Sequence, residues 1–242
     1  MTLNRAEGAE DSAAPVDLAG VFAPHAALAR HLLAALGPGG TDGSHDLSHL
    51  LRVWRNAAAI AATEPACDLE LLTASVLLHD CVAVEKNSPL RAQASRLAAA
   101  HARTLLAGWG WAPDRLDALA HAIEAHSFSA GIAPRSLEAR ILQDADRLDA
   151  IGAIGVARCF YVGGRLHSAL YDAADPDATA RSLDDRRFAL DHFAAKLFRL
   201  GDGFHTAAGR RESAARMATM AAFVAAFRAE LGLAAPQEAA PA

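Results

Sequence analysis

Apolar residues recur along most of this chain at three- and four-residue spacing, the period of helices buried on one face. One such run covers about 17 to 36 and stops at Gly37, Pro38, Gly39 and Gly40, a strong breaker. A second begins near Ser44 or Asp46 and continues to about Thr63, with Leu50, Val53, Ala57, Ile60 and Ala61 at helical spacing. A third, over about 68 to 80, starts at Asp68 as N-cap and ends in LLHDC. Ser88 and Pro89 form an N-cap and N1 pair opening a helix to about Gly108, and Pro113 opens the next, through His126. Another is predicted over about 136 to 151, followed by the glycine-bearing stretch IGAIGVARCFYVGG. Residues 167 to 182 read as a long loop, of a length that often carries function. Two final helices are predicted over about 183 to 199 and 209 to 231.

Composition agrees with this pattern. Apolar residues make up 52% of the chain, largely Ala and Leu, while aromatics are 6%, a mix that favours helices over strands. The expectation is an all-α protein whose 242 residues suit one domain. Residues 1–16 and 233–242 are low in complexity and read as disordered tails without chemistry, which leaves 17–232 as the folded unit. The N-terminus has acidic residues and no apolar signal core, and the run Met217 to Phe227 is about half the length that crosses a bilayer. A soluble, cytoplasmic protein with no membrane partner is expected. The net charge of -5 argues against polymeric nucleic acid as a partner, though a few local Arg and Lys residues can still hold a small phosphorylated ligand. Cys67, Cys81 and Cys159 form no CxxC pair and are odd in number, so they read as free thiols.

Three polar features stand out from the apolar background. His45, His49, Arg52 and Asn56 share one face of the second helix. His79 and Asp80 directly follow an apolar run, where a charged carboxylate needs a partner. Asp144, Asp146 and Asp149 lie within six residues, and Asp144 and Asp146 are about 200° apart on a helix, so both cannot face one site. Helical periodicity does not choose between them, and a solvated acidic face accounts for one or two of the three. Taken in order, these features supply His, then His-Asp, then Asp, each on its own helix. Two neutral imidazoles and two carboxylates suit a divalent ion with positions left for water and substrate.

This pattern resembles the HD superfamily of metal-dependent phosphohydrolases, and specifically its YedJ-like branch of stand-alone bacterial proteins. The resemblance is carried by SHDLSHLLRVWRNA (44–57), LLHDCVAVEKNSPLR (77–91), HAIEAHSFS (121–129), QDADRLDAIGAIGVARCF (143–160) and LDDRRFALDHFAAKLFRL (183–200). It implies an HD-type helical bundle with a central metal site, in which the second His of HDxxH, the HD dyad and the Asp of ADRL bind the ion. These are His49, His79, Asp80 and Asp146, so the resemblance favours Asp146 over Asp144. One divalent ion is implied (Mn, Fe, Ni, Zn or Mg), with His45 and Asp46 as orienting neighbours. The superfamily's (p)ppGpp hydrolases follow HD with a nearby Glu-Asp pair; here Cys81, Val82, Ala83 and Val84 stand instead, which weakens an alarmone assignment.

The chemistry expected is metal-assisted hydrolysis of a phosphoester or phosphoanhydride, with nucleotides ranked first and a nucleoside triphosphate giving monophosphate and pyrophosphate. Asp80, Glu85 as a general base through a water, and His126 are the candidate catalytic groups. Arg52, Lys86, Arg91 and Lys196 are the candidate phosphate-binding charges. Asp184, Asp185 and His192 are expected to close one side of the pocket with Lys196. Trp54, Trp109 and Trp111 read as packing residues. Two alternatives remain: a di-iron oxygenase of HD type, for which His121 and His126 would supply the extra histidines, and a non-catalytic metal- or nucleotide-binding regulator.

Overall fold

The computed structural model describes residues 18–37, 47–82, 84, 90–127 and 130–233. Almost all of both expected tails, together with His45, Asp46, Glu85 and Lys86, lies outside the described residues. The described chain is all-α: α1 (Ala26–Leu36), α2 (Leu47–Ala61), α3 (Leu69–Leu78), α4 (Ala94–Ala107), α5 (Pro113–His126), α6 (Leu137–Asp149), α7 (Gly152–Arg165), α8 (Asp191–Ala195) and α9 (Ala207–Glu230). None of these helices is long and apolar enough to cross a membrane.

The centre of the bundle is α3. Every residue from Leu71 to Leu78 is buried, so this helix has no solvent face beyond its first two residues. Asp68 caps it by accepting from the Leu71 amide at 2.9 Å, and the hydroxyls of Thr73 and Ser75 are satisfied by the Leu69 and Leu71 carbonyls. Around α3 pack α1, α2, α5 and α6. The fully buried Leu72, Leu77, Leu78, Leu119, Ile123, Ile141, Leu142 and Leu148 fill the space between them. Each contributes about 1.5–3 kcal/mol by leaving water.

Three expected elements differ in the structure. The run over 17–36 is broken: Leu18–Phe22 is a 3-10 turn, and α1 starts only at Ala26. Pro24 between them has no amide hydrogen and its ring clashes with the preceding turn, so one helix cannot continue through it. The helix expected from Ser88 and Pro89, which lie outside the described residues, is α4 and starts only at Ala94. The glycine-bearing stretch, for which the sequence makes no assignment, is helical, as α7. Its glycines permit close approach: a Cβ at Gly155 would sit 2.4 Å from the Ala150 carbonyl oxygen. Gly155→Ala is therefore expected to destabilise the protein by about 1–3 kcal/mol, read as a shift of the urea midpoint; an unchanged midpoint would contradict this packing.

The segment 183–199, expected as one helix, holds only α8 and a 3-10 helix, Leu197–Gly201. Its first part is drawn into other pairings. Ala169 bonds to the backbone of Arg187 and Ala189, and the amides of Arg186 and Arg187 turn onto the Asp184 carboxylate. The long loop is organised by Arg181, which reaches the buried Asp191 with both terminal nitrogens at 2.5 and 2.9 Å.

The final helix closes the bundle against α6 and α7. Thr206 caps α9 by accepting from the Gly209 amide at 2.9 Å, and its own hydroxyl donates to Asp144 Oδ2 at 2.7 Å. Arg216, two turns further on, donates to the Leu148 carbonyl and to Asn56, while Asn56 donates to the Ala145 carbonyl. One side chain thus ties α9 to α2 and α6.

Candidate metal centre

The polar stripe of α2 is turned inward against α6. His49 is buried, Arg52 reaches Asp149 and Asn56 meets the α6 backbone, so the stripe is not a solvated face. His79 is the C-cap of α3, directly beyond the buried run Leu71–Leu78. His126 is the last residue of α5. Asp146 comes from the last turn of α6, behind the Ser136 N-cap that fixes where that helix begins.

These elements bring five side chains to one place. His49 Nε2 lies 3.2 Å from His79 Nε2 and 3.6 Å from Asp146 Oδ1. Asp80 Oδ2 is 3.7 Å from His79 Nε2 and 3.9 Å from His49 Nε2. On the other side of Asp80, its Oδ1 is 3.6 Å from His126 Nε2. Two overlapping donor groups result: His49, His79 and Asp146, and His79, Asp80 and His126, each with its ligand atoms within 4.8 Å of one another. The imidazoles form a buried floor, while the Asp80 and Asp146 side chains are about a third exposed (35% and 28%), so the cluster opens on its carboxylate side.

The outer nitrogens of the rings fix what the inner ones do. His79 Nδ1 meets the Val76 carbonyl at 2.7 Å, and His126 Nδ1 meets the Ile123 carbonyl at 2.6 Å. A carbonyl only accepts, so both rings carry a proton on Nδ1; the neutral His79 turns a bare Nε2 into the cluster, while the Nε2 of His126 is turned toward Asp80. His49 Nδ1 faces the buried carboxylate of Asp149 at 2.8 Å, with the same consequence as for His79. Two lone pairs facing each other 3.2 Å apart repel, and a cation bonded to both is what relieves them. Imidazole nitrogens and carboxylate oxygens are the donor set of a borderline transition-metal ion, so the residues present fit a divalent ion.

Electrostatics agree with ligand roles. Burial pushes the His79 imidazole down to about 4, keeping it neutral and ready to coordinate. Burial opposes the charge on Asp80, yet His79 and His126 hold its carboxyl well below the usual range. For His126 burial is outweighed by its bond to Asp80, and the ring is raised above the ordinary histidine value. Asp149 is held down to about 2 despite burial, by His49, Arg52 and Arg158.

The remaining candidates have other surroundings. Arg91 opens a short 3-10 helix, Arg91–Gln93, ahead of α4. Lys196 is exposed at the junction of α8 and the 3-10 helix that follows. His192 pairs with Asp185 at 2.9 Å within its own segment. His121 accepts from the Arg135 amide at 2.9 Å, and it joins no donor group with His126. Trp54 packs on Phe22 and donates to the Val21 carbonyl. All three cysteines are free, and burial pushes each thiol up to about 12.

Two residues enter the site without a strong signal in the sequence. Asp149 shows there only as the third member of an acidic run, and Arg158 as one arginine in the glycine-bearing stretch. In the structure Asp149 is buried and receives His49, Arg52 and Arg158 together. A carboxylate one turn beyond a ligand on the same helix is the cue that points to it.

Known proteins share this arrangement of chain. The HD domain model matches residues 46–151, which include all four candidate ligands. YpgQ of Bacillus subtilis is 34% identical over 190 residues, covering 76% of this chain and 84% of that protein. The crystal structure of YpgQ in complex with ADP superposes with a TM-score of 0.62 at 28% identity, covering 86% of this chain and 93% of that one. A protein of Lactobacillus plantarum gives a TM-score of 0.65 at 32% identity over 86% of this chain and 98% of its own. An HD-superfamily hydrolase of Bacillus thuringiensis gives 0.62 at 26% identity over 88% and 95%. With its all-helical bundle, its ordered His, His-Asp and Asp residues and these relatives, the chain belongs to the HD domain superfamily, whose members include hydrolases.

Proposed function

We propose that this protein is a metal-dependent phosphohydrolase of nucleotides, converting a nucleoside triphosphate to its monophosphate and pyrophosphate, with residues 17–232 as the catalytic domain. The observation that carries the reading is the pair of inward-facing imidazole nitrogens of His49 and His79, closed by Asp80 and Asp146. The ADP in the YpgQ crystal structure supports a nucleotide ligand.

In this reading His49, His79, Asp80 and Asp146 hold one divalent ion, of the Mn, Fe, Ni, Zn or Mg type. Such an ion supplies Lewis acidity, polarising a phosphoryl oxygen and making a water easier to deprotonate near neutral pH. The chain supplies the rest. The buried imidazoles exclude bulk water from the floor, and the exposed carboxylate side leaves room for phosphates. His126, facing Asp80 at 3.6 Å, orients that carboxylate and offers a proton-carrying group at the same edge. Glu85 acts as base through a water. Lys86, Arg91 and Lys196 neutralise phosphate oxygens, and Arg52 adds its charge from its place on Asp149.

Metal analysis of the purified protein, joined to a panel of nucleotides and simple phosphoesters, tests this reading; absence of any metal-dependent hydrolysis would sink it. Within it, Lys86→Ala and Arg91→Ala are each expected to cost on the order of 1.5–3 kcal/mol, one to two powers of ten in KM or kcat. Metal content should stay at the wild-type level. Changes of less than about twofold in both constants would make these ordinary surface charges.

A further inference from the structure

Asp149 stands one helical turn beyond Asp146 on α6 and is almost fully buried, at 1% exposure. Three side chains from two other helices converge on it. His49 of α2 meets Oδ2 through Nδ1 at 2.8 Å. Arg52 of α2 donates through Nε at 2.6 Å and Nη2 at 3.1 Å. Arg158 of α7 donates through Nη1 at 2.9 Å to the carboxylate and at 3.2 Å to the Asp149 carbonyl.

The three cluster histidines obtain their outer hydrogen bond differently. His79 and His126 each use the carbonyl three residues earlier in their own helix, which needs no other side chain. His49 lies in the first turn of α2 and takes a carboxylate from α6 instead. A carbonyl accepts weakly, whereas a carboxylate makes the ring more basic and resists rotation of the imidazole. Two guanidinium groups on one carboxylate also exceed what charge balance alone requires. They fix the carboxylate in one pose and keep it an acceptor.

We propose that Asp149 is the positioning residue of the metal centre: it fixes the tautomer and direction of His49, while Arg52 and Arg158 clamp it in place. This inference rests on the metal reading of the cluster, and its test separates the two. Ion affinity is measured by competition between the folded protein and a chromophoric chelator, with Mn²⁺ and Zn²⁺ as probes. The proteins are the wild type, Asp149→Asn and Asp144→Asn, the last being buried at an adjoining position without touching the cluster.

Asp149→Asn is expected to weaken binding by about 10–100-fold, while Asp144→Asn stays within about threefold of the wild type. A purely structural Asp149 would lower the melting temperature of both variants alike and leave the affinity of the folded protein unchanged; that result overturns the proposal. Where Asp149→Asn does not fold, nitrogen NMR of the imidazoles in the metal-free wild type decides. A His49 proton on Nδ1 is the expected result, and one on Nε2 overturns the proposal. A wild type that binds neither ion removes the metal reading itself and this inference with it.

Discussion

Replacing His79 with alanine is expected to empty the metal site and to lower hydrolysis by at least about three powers of ten, ~4 kcal/mol of transition-state stabilisation. His79 belongs to both donor groups of the cluster, and among the described residues it is the member the two groups share. Its loss takes away one of two bare nitrogens that face each other at 3.2 Å, leaving a three-donor remnant. The fold should survive. His79 caps the end of α3 rather than its core-filling middle, and its outer bond runs to its own helix at Val76. The checks are metal content by elemental analysis and helicity by circular dichroism on the same sample. Full metal occupancy in a folded His79→Ala protein would show that the ion, and the reaction with it, lie elsewhere.

Asp146 and Asp144, two residues apart, are expected to fail in opposite ways. Asp146 points into the cluster and its side chain is 28% exposed, so Asp146→Asn should lose the ion and turnover with little change in the stability of the metal-free protein. Asp144 is fully buried and accepts from the amides of His205 and Thr206 and from the Thr206 hydroxyl, at 2.7–2.9 Å in the shortest contacts. Asn at this position turns an amino group toward donors. Losing one such bond to a charged acceptor costs about 1.5–3 kcal/mol, or roughly 4–10 °C in Tm for a chain of this size. Asp144→Asn should therefore melt earlier and keep its metal. Thermal denaturation and metal analysis of both variants together make the check, and an Asp144→Asn protein that is stable but metal-free would reverse the assignment.

The two carboxylates also show what a sequence can and cannot give. An offset of about 200° between them follows from helix geometry alone, and the structure sends them to different neighbours. What the pattern of residues could not give was the neighbour. Asp144 and Asp149 were open to membership of a solvated acidic face, yet both are buried by partners distant in the sequence, His205 and Thr206 for Asp144 and His49, Arg52 and Arg158 for Asp149. The period of apolar residues placed α2, α5 and α6 well, since each buries one face and keeps a polar one. It served less well over 183–199, where Phe188, Phe193 and Leu197 are buried without one continuous helix to carry them. There backbone pairing with Ala169 and capping by Asp184 compete with helix formation. The glycine-bearing stretch carries no assignment in the sequence, and it is helical as α7, where Gly155 allows close contact with the Ala150 carbonyl.

The bond between Asp144 and the start of α9 has a consequence for synthesis. A ribosome delivers all four candidate ligands by residue 146, and the segment shared across the HD domain ends at 151. At that point Asp144 has no partner, because the amides of His205 and Thr206 have yet to emerge. Until they do, the carboxylate faces water, because the segment that supplies its donors is also the one that covers it. The nascent chain thus carries its four candidate ligands through more than fifty residues of further elongation before this closure of the bundle forms. A fragment trimmed to the shared segment would carry every candidate donor and lack the Thr206 and α9 contacts that close the bundle over Asp144.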